Sequence, residues 1–230
     1  MRRKILCITG LCLLLFAVSS CSSKPEEGLL KRYFHAISLN DATTMSTMSL
    51  EPKVIEFENW KIVSVTESQT NPATLPDLNK MEMELKKRVE DSVGITLDAS
   101  DALDNAKFEY DNARTAGAKR AAKQKIDEMQ VAYDEQREVH NQVQKDYNEA
   151  KTAAAKEEEI TLFSLGAGDV PNVRDFTGTV ESNEVIVKVT KRDGSSENYQ
   201  FDLRRYVLRD ETSGITRRGR WIIVQFDPVG

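Results

Sequence analysis

Residues 126–147 read Ile126-Asp-Glu-Met129-Gln-Val-Ala-Tyr133-Asp-Glu-Gln136-Arg-Glu-Val-His140-Asn-Gln-Val143-Gln-Lys-Asp-Tyr147. Ile126, Met129, Tyr133, Gln136, His140, Val143, Tyr147, Ala150 and Ala154 recur at alternating steps of three and four without a slip. That is the seam of a coiled-coil helix. Its polar members, Gln136 and His140, either fix the register or are tolerated in a loosely packed seam. The stretch sits inside a longer segment, Asp77 to Glu159, that has no proline, only Gly94 and Gly117 as glycines, and 20 acidic against 14 basic residues. In its first half Leu78, Met81, Leu85, Ile95, Ala99, Ala102, Ala106 and Ala113 fit the same spacing, with Arg88, Ser92 and Glu109 interrupting it. Drawn out as one helix the segment would be about 120 Å long. Gly117, within Thr115-Ala-Gly-Ala118, predicts instead a fold into two antiparallel arms of about 60 Å each. Gly94 is the rival break. Folding at Gly117 sets Ala106 against Met129 and Ala102 against Tyr133, small against large as close helix packing requires. The tip then carries Arg114, Lys119, Arg120 and Lys123, a cationic candidate binding surface whose alternative is a solvated tip balancing an acidic arm.

The flanks change character. Leu29, Leu30, Tyr33, Phe34 and Ile37 mark one apolar face of a helix of roughly 11 residues. Asn40 and Asp41 break it and cap a short second helix bearing Met45 and Met48, which Pro52 stops. Val54 to Thr66 is rich in β-branched and aromatic residues and predicts a strand, with a bulge near Asn59 turning both Phe57 and Trp60 inward. Gln69 to Pro76 reads as a loop. After the charged segment, Thr161 to Asp169 reads as a connecting strand or loop. Val185, Val187 and Val189 then alternate along a strand, Asp193-Gly194 makes a hairpin turn, and Tyr199, Phe201, Leu203 and Val207 return. A last strand runs from Gly219 to Phe226. The fold class is therefore α+β. A small antiparallel sheet with N-terminal helices, residues 29–70 and 160–230, is interrupted by a helical hairpin at 77–159.

The 230-residue chain is 40% hydrophobic and 30% charged, with a formal net charge of −5. That balance disfavours general binding to nucleic acid or anionic headgroups. The three cysteines are Cys7, Cys12 and Cys21, and the two histidines are His35 and His140. Downstream of residue 21 there is no thiol for a disulfide or a nucleophile, and no Cys/His set for zinc within one chain. No cofactor motif is present. Met1-Arg-Arg-Lys4 is a cationic start, and Ile5 to Val18 is an apolar run too short for a comfortable membrane span. Val18-Ser19-Ser20-Cys21 follows. Those residues resemble a bacterial lipobox. The resemblance implies that residues 1–20 are a signal peptide and that Cys21 carries a thioether-linked diacylglycerol on an acylated amino terminus. It also implies that 21–28 tether the domain to a membrane. Loss of Arg2, Arg3 and Lys4 with the signal lowers the net charge by three to −8. Ser22, where an aspartate favours inner-membrane retention in enterobacterial lipoproteins, places the chain in the outer membrane facing the periplasm.

Leu30-Lys-Arg-Tyr-Phe-His-Ala-Ile-Ser-Leu-Asn-Asp-Ala42 and the closing Gly219-Arg-Trp-Ile-Ile-Val224 resemble the first helix and final strands of the nuclear-transport-factor-2-like superfamily of α+β cones. The resemblance covers residues 29–66 and 180–227. The helical insertion departs from that pattern where the family has a small helix. Cone-fold enzymes place an acid or base in the pocket, and His35 beside Phe34 is the one candidate here. Glu56 and Glu58, two apart on a strand, read as a solvated face. Arg204, Arg205, Arg209, Arg217, Arg218 and Arg220 are balanced by ten acidic residues over 160–230, which predicts cross-strand pairing rather than a phosphate site. The expected function is a non-catalytic binding or scaffold module, meeting a membrane through Cys21 and a protein partner or a second copy through the hairpin. The runner-up is an adaptor of a transport assembly, since efflux-pump adaptors are similar in carrying a helical hairpin out of β structure.

Overall fold

The computed structural model describes residues 24–229, so the signal, Cys21 and the first residues of the tether lie outside the described residues. The element order is α1 (Pro25–Ser38), α2 (Ala42–Ser46), β1 (Asn59–Val65), β2 (Gln69–Pro72), α3 (Leu75–Asn112), α4 (Ala116–Leu165), β3 (Thr177–Thr190), β4 (Ser196–Arg209), β5 (Thr216–Arg218) and β6 (Ile222–Val229). The fold is α+β: an N-terminal helix, a long antiparallel helix pair, and a curled antiparallel sheet. Among the described residues no helix is long and apolar enough to cross a membrane.

The 14-residue strands β3 and β4 form the sheet's spine, joined by the turn at Asp193-Gly194. β1 and β2 pair in succession along the outer side of β3, and β6 and β5 along the outer side of β4. The hairpin is inserted between β2 and β3, and its antiparallel return lets two strands that precede it pair with one that follows.

Each face of the sheet carries its own core. On one face α1 lays Leu29, Leu30, Tyr33, Phe34 and Ile37 over Val185, Val187, Val189, Phe201, Leu203 and Phe226. The rings interlock: Phe34 stacks on Trp60 at 4.5 Å, Phe201 on Phe226 at 4.6 Å, and Tyr33 meets Phe226 edge-on at 5.7 Å. The Tyr33 hydroxyl donates to the Lys53 carbonyl at 3.1 Å and accepts from the Lys53 N–H at 3.0 Å, tying down the segment before β1. On the opposite face Tyr206, Leu208, Ile222 and Val224 meet Leu75, Ile160, Val173 and Phe176. The root of the hairpin is thereby built into the domain's second core.

Several boundaries differ from those the sequence predicts. α1 starts at Pro25 rather than Leu29, because Pro25 supplies a helical φ at the first turn and Glu26 and Glu27 favour its positive end. The tether is thus helical from Pro25. The first strand begins at Asn59, not Val54, and its register slips between Ile62 and Ser64, so the bulge lies at Val63 and not at Asn59. Gln69–Pro72 is strand β2 rather than loop, held by β3 despite having no apolar alternation. Thr161–Leu165 is the last turn of α4 rather than strand or loop, and the helix ends where Gly166 adopts φ 67° and caps it. The hairpin turns at Ala113-Arg114-Thr115, and Gly94 and Gly117 lie within α3 and α4. Thr115 fixes that turn: its hydroxyl accepts from the Ala118 N–H at 3.1 Å as the N-cap of α4.

Candidate functional site: a helical rod clamped to the sheet

α3 has 38 residues and α4 has 50, which gives arms of about 57 and 75 Å. On α4 the seam expected from Ile126 to Ala154 lines the contact, and it extends at the same spacing to Ala122, Glu157, Thr161 and Ser164. On α3 the structure corrects the seam. Among the shielded residues Leu75, Leu78, Glu82, Leu85, Val89, Ser92, Thr96, Ala99, Leu103, Ala106, Tyr110 and Ala113 form an unbroken alternation of three and four, with Pro76, Asn79, Ser100 and Ala102 half-buried beside it. Leu78, Leu85, Ala99, Ala106 and Ala113 are shared with the expected seam. Glu82, Val89, Thr96, Leu103 and Tyr110 replace Met81, Arg88, Ile95, Ala102 and Glu109, each one residue further on. Met81 and Ile95 are both 52% exposed, whereas Leu103 is 4% exposed. The interruptions at Arg88 and Glu109 disappear, since both lie on the rim of the contact and outside the seam itself.

The middle of the seam is polar and satisfied. The Ser92 hydroxyl donates to the Val89 carbonyl at 2.8 Å and lies within hydrogen-bond distance of His140 Nδ1, at 2.9 Å. Thr96 Oγ1 reaches the Gln136 carbonyl at 3.4 Å. Such a layer favours one register over slid alternatives, since slippage would bury these groups unpaired.

The root is clamped by charge as well as by the apolar core. The Arg174 guanidinium bridges the two arms, donating to Glu82 at 2.7 Å and to Glu158 at 2.8 Å. Buried Tyr206 on β4 donates to Glu157 at 2.7 Å, and Arg204 reaches the same carboxylate at 3.4 Å. Burial, and then the Glu157 charge beside it, push the Tyr206 phenol well above the usual tyrosine range. It stays protonated and keeps donating. Ser164, near the end of α4, donates to the Arg220 carbonyl at 2.8 Å and accepts from the Tyr206 N–H at 3.3 Å. The chain passes so close there that a Cβ on Gly219 would lie 2.3 Å from Ser164 Oγ.

The four tip cations are exposed, but they differ in what they meet. Lys119 sits 5.6 Å from the centre of the Tyr110 ring, Arg120 donates to the Ala116 carbonyl at 3.4 Å, and Lys123 pairs with Asp127 at 3.0 Å. Arg114 makes no ion pair among the described residues. Beside them Phe108 is 68% exposed over a shallow groove lined by Ala113, Ala118 and Ala121. The sequence reading missed this ring, although its place outside the seam is implied once Leu103 and Ala106 face inward.

The other candidates are scattered. His35 is exposed on the outer side of α1 and lines a surface groove with Arg32, Asp41, Thr44 and Trp221. The space between α1 and the sheet, where a cone enzyme would hold its substrate, is filled by the aromatic core. Among the C-terminal arginines, Arg205 pairs with Glu181 across β3 and β4 and covers the Trp221 ring, Arg209 meets Glu211 at 3.7 Å, and Arg220 covers Phe163. Arg204 turns to α4 instead of to a neighbouring strand. Among the described residues no group of three His, Cys, Asp or Glu side chains is placed to hold a metal ion. Comparison of the chain with protein-family models, with curated proteins and with solved structures finds no match.

Proposed function

We propose that this chain is a lipid-anchored, non-catalytic protein of the bacterial cell envelope that presents its helical hairpin to a protein partner. One observation carries the docking part: the rod has a continuous internal seam, its two arms are bridged at the root by Arg174, and the root is fixed to the sheet through Tyr206 and Ser164. A rod so anchored holds its far end at a set place relative to the domain, as an arm or spacer must. The anchor rests on the lipobox residues Val18-Ser19-Ser20-Cys21. Two or more acyl chains at about 0.8 kcal/mol per buried methylene hold a protein on a bilayer. α1 starts at Pro25, four residues after Cys21 in the sequence, so an anchored domain would stand close to the bilayer. The aromatic filling under α1 and the outward His35 favour a binding module over a cone-fold enzyme.

The test is labelled palmitate in cells making the native chain or Cys21→Ala. Incorporation into the native chain alone, with loss of membrane attachment in the variant, is the expected result. An unlabelled native chain overturns the anchor, and an activity abolished by His35→Ala overturns the non-catalytic reading.

A further inference from the structure

The corrected seam defines what lies along each edge of the rod. On α3 the residue just before every second seam position is Met81, Arg88, Ile95, Ala102 or Glu109. On α4 the corresponding row is Lys125, Ala132, Val139, Asp146 and Ala153. In an antiparallel pair these two rows face each other along one edge. The Glu109–Lys125 ion pair at 2.7 Å fixes the rungs. Seven residues at a time, the next rungs are Ala102 with Ala132, Ile95 with Val139, Arg88 with Asp146, and Met81 with Ala153. Two adjacent apolar rungs about 10 Å apart therefore lie between charged ones. Ile95 and Val139 are each 52% exposed. A solvated rod gains nothing from β-branched residues there.

The surroundings of these rungs are mainly acidic, with exposed Arg88 on the next rung as the neighbouring cation. Asp91 and Asp98 flank Ile95 at four residues before and three after, and Glu135 stands four before Val139, so all three are surface neighbours of the apolar rungs. None of the three has an ion-pair partner among the described residues. The opposite edge differs: Val93 lies by Arg137, Lys86 by Gln144, and Lys107 by Lys123. There Lys107 and Lys123 are neutralised by Asp104 and Asp127, each at 3.0 Å.

We propose that the edge centred on Ile95 and Val139 is the docking surface for a basic amphipathic helix of a partner protein. Its apolar stripe covers the two rungs, and its flanking lysines or arginines meet Asp91, Asp98 and Glu135. A second copy using the same edge would bring carboxylates against carboxylates, which disfavours a two-fold dimer. The proposal rests on the docking reading of the hairpin and names the surface and the partner's chemistry.

The first test uses the full mature chain and a synthetic helical peptide of about three heptads, with a Leu/Ala stripe flanked by Lys and Arg. A control peptide carries Glu in place of those cations. The expected result is binding of the basic peptide only, weakened at least about tenfold by Ile95→Ser with Val139→Ser, which removes the apolar rung without adding charge, and left unchanged by Val93→Ser with Leu97→Ser. All four positions are exposed, so helix content by circular dichroism should be unaltered. Equal weakening by both double variants, or equal binding of both peptides, overturns the edge. Sedimentation of the chain alone should show a monomer. A dimer abolished by Ile95→Ser with Val139→Ser gives the edge to a second copy and overturns the proposal. Photo-crosslinkers in cells separate this inference from the broader one. Crosslinks from positions 95 and 139 onto a basic amphipathic helix support it. Crosslinks from Arg114 or Val93 alone keep the docking arm and overturn the edge. None from any position overturns both.

Discussion

Truncating Leu103 and Ile95 to alanine tests the seam with two side chains of equal size on one helix. Leu103 is 4% exposed and faces α4, while Ile95 is 52% exposed on the edge. Leu103→Ala removes three buried carbons, and at roughly 0.8 kcal/mol each the lost transfer energy is about 2–3 kcal/mol. Leucine-to-alanine changes in closed cores cost up to about 5 kcal/mol. A seam between only two helices collapses more readily around the gap, which favours the lower figure. Ile95→Ala removes the same number of carbons from a half-solvated site and should cost under about 1 kcal/mol. Thermal melting followed by helical circular dichroism separates the two. At about 2–4 °C per kcal/mol for a chain of this size, Leu103→Ala should lower the midpoint by roughly 4–12 °C and Ile95→Ala by about 4 °C or less. Equal shifts, or a larger one for Ile95→Ala, would refute the assignment of Leu103 to the seam.

Gly219→Ala places a Cβ 2.3 Å from Ser164 Oγ and 3.0 Å from its carbonyl oxygen, so urea unfolding should show a loss of about 1–3 kcal/mol, and an unchanged midpoint would contradict the tight root. Tyr206→Phe leaves the mostly buried Glu157 without its 2.7 Å donor, and a loss of about 1–3 kcal/mol is expected by the same method. Asp41 caps α2, and its carboxyl is held below the usual range, first by the Thr44 hydroxyl and then by the Thr44 N–H. Because the folded value is depressed, the cap's contribution is complete above the ordinary aspartate range and fades as pH falls through the lowered value. An NMR titration of Asp41 should show that depression in the native chain and a smaller one in Thr44→Val, which keeps the N–H but loses the hydroxyl.

The fold class and the hairpin were legible because they rest on long-range periodicity. Nine seam residues on α4 keep one spacing, and the valines of β3 alternate cleanly. The seam of α3 was harder. Leu78, Leu85, Ala99, Ala106 and Ala113 belong to either of two rows one residue apart, and Met81 and Ile95 made the wrong row look the more apolar. Only contact with α4 selects Leu103 over Ala102. The turn was placed at the glycine, whereas the signal lay two residues earlier in Thr115, whose hydroxyl caps α4. Strand β2 carried no pattern of its own, because Gln69–Pro72 is strand by virtue of β3 beside it. The root clamp was invisible for the same reason. Glu82, Glu158 and Arg174 converge from three elements far apart in the chain, and no local spacing links them.

The antiparallel rod is tested most directly by spin labels at Lys86 and Gln144, on opposite arms along one edge. Packed helices stand about 8–10 Å apart, so dipolar broadening should report labels within roughly 20 Å of each other in a narrow distribution. A separation near 90 Å, as in one continuous helix, or a broad spread would contradict it.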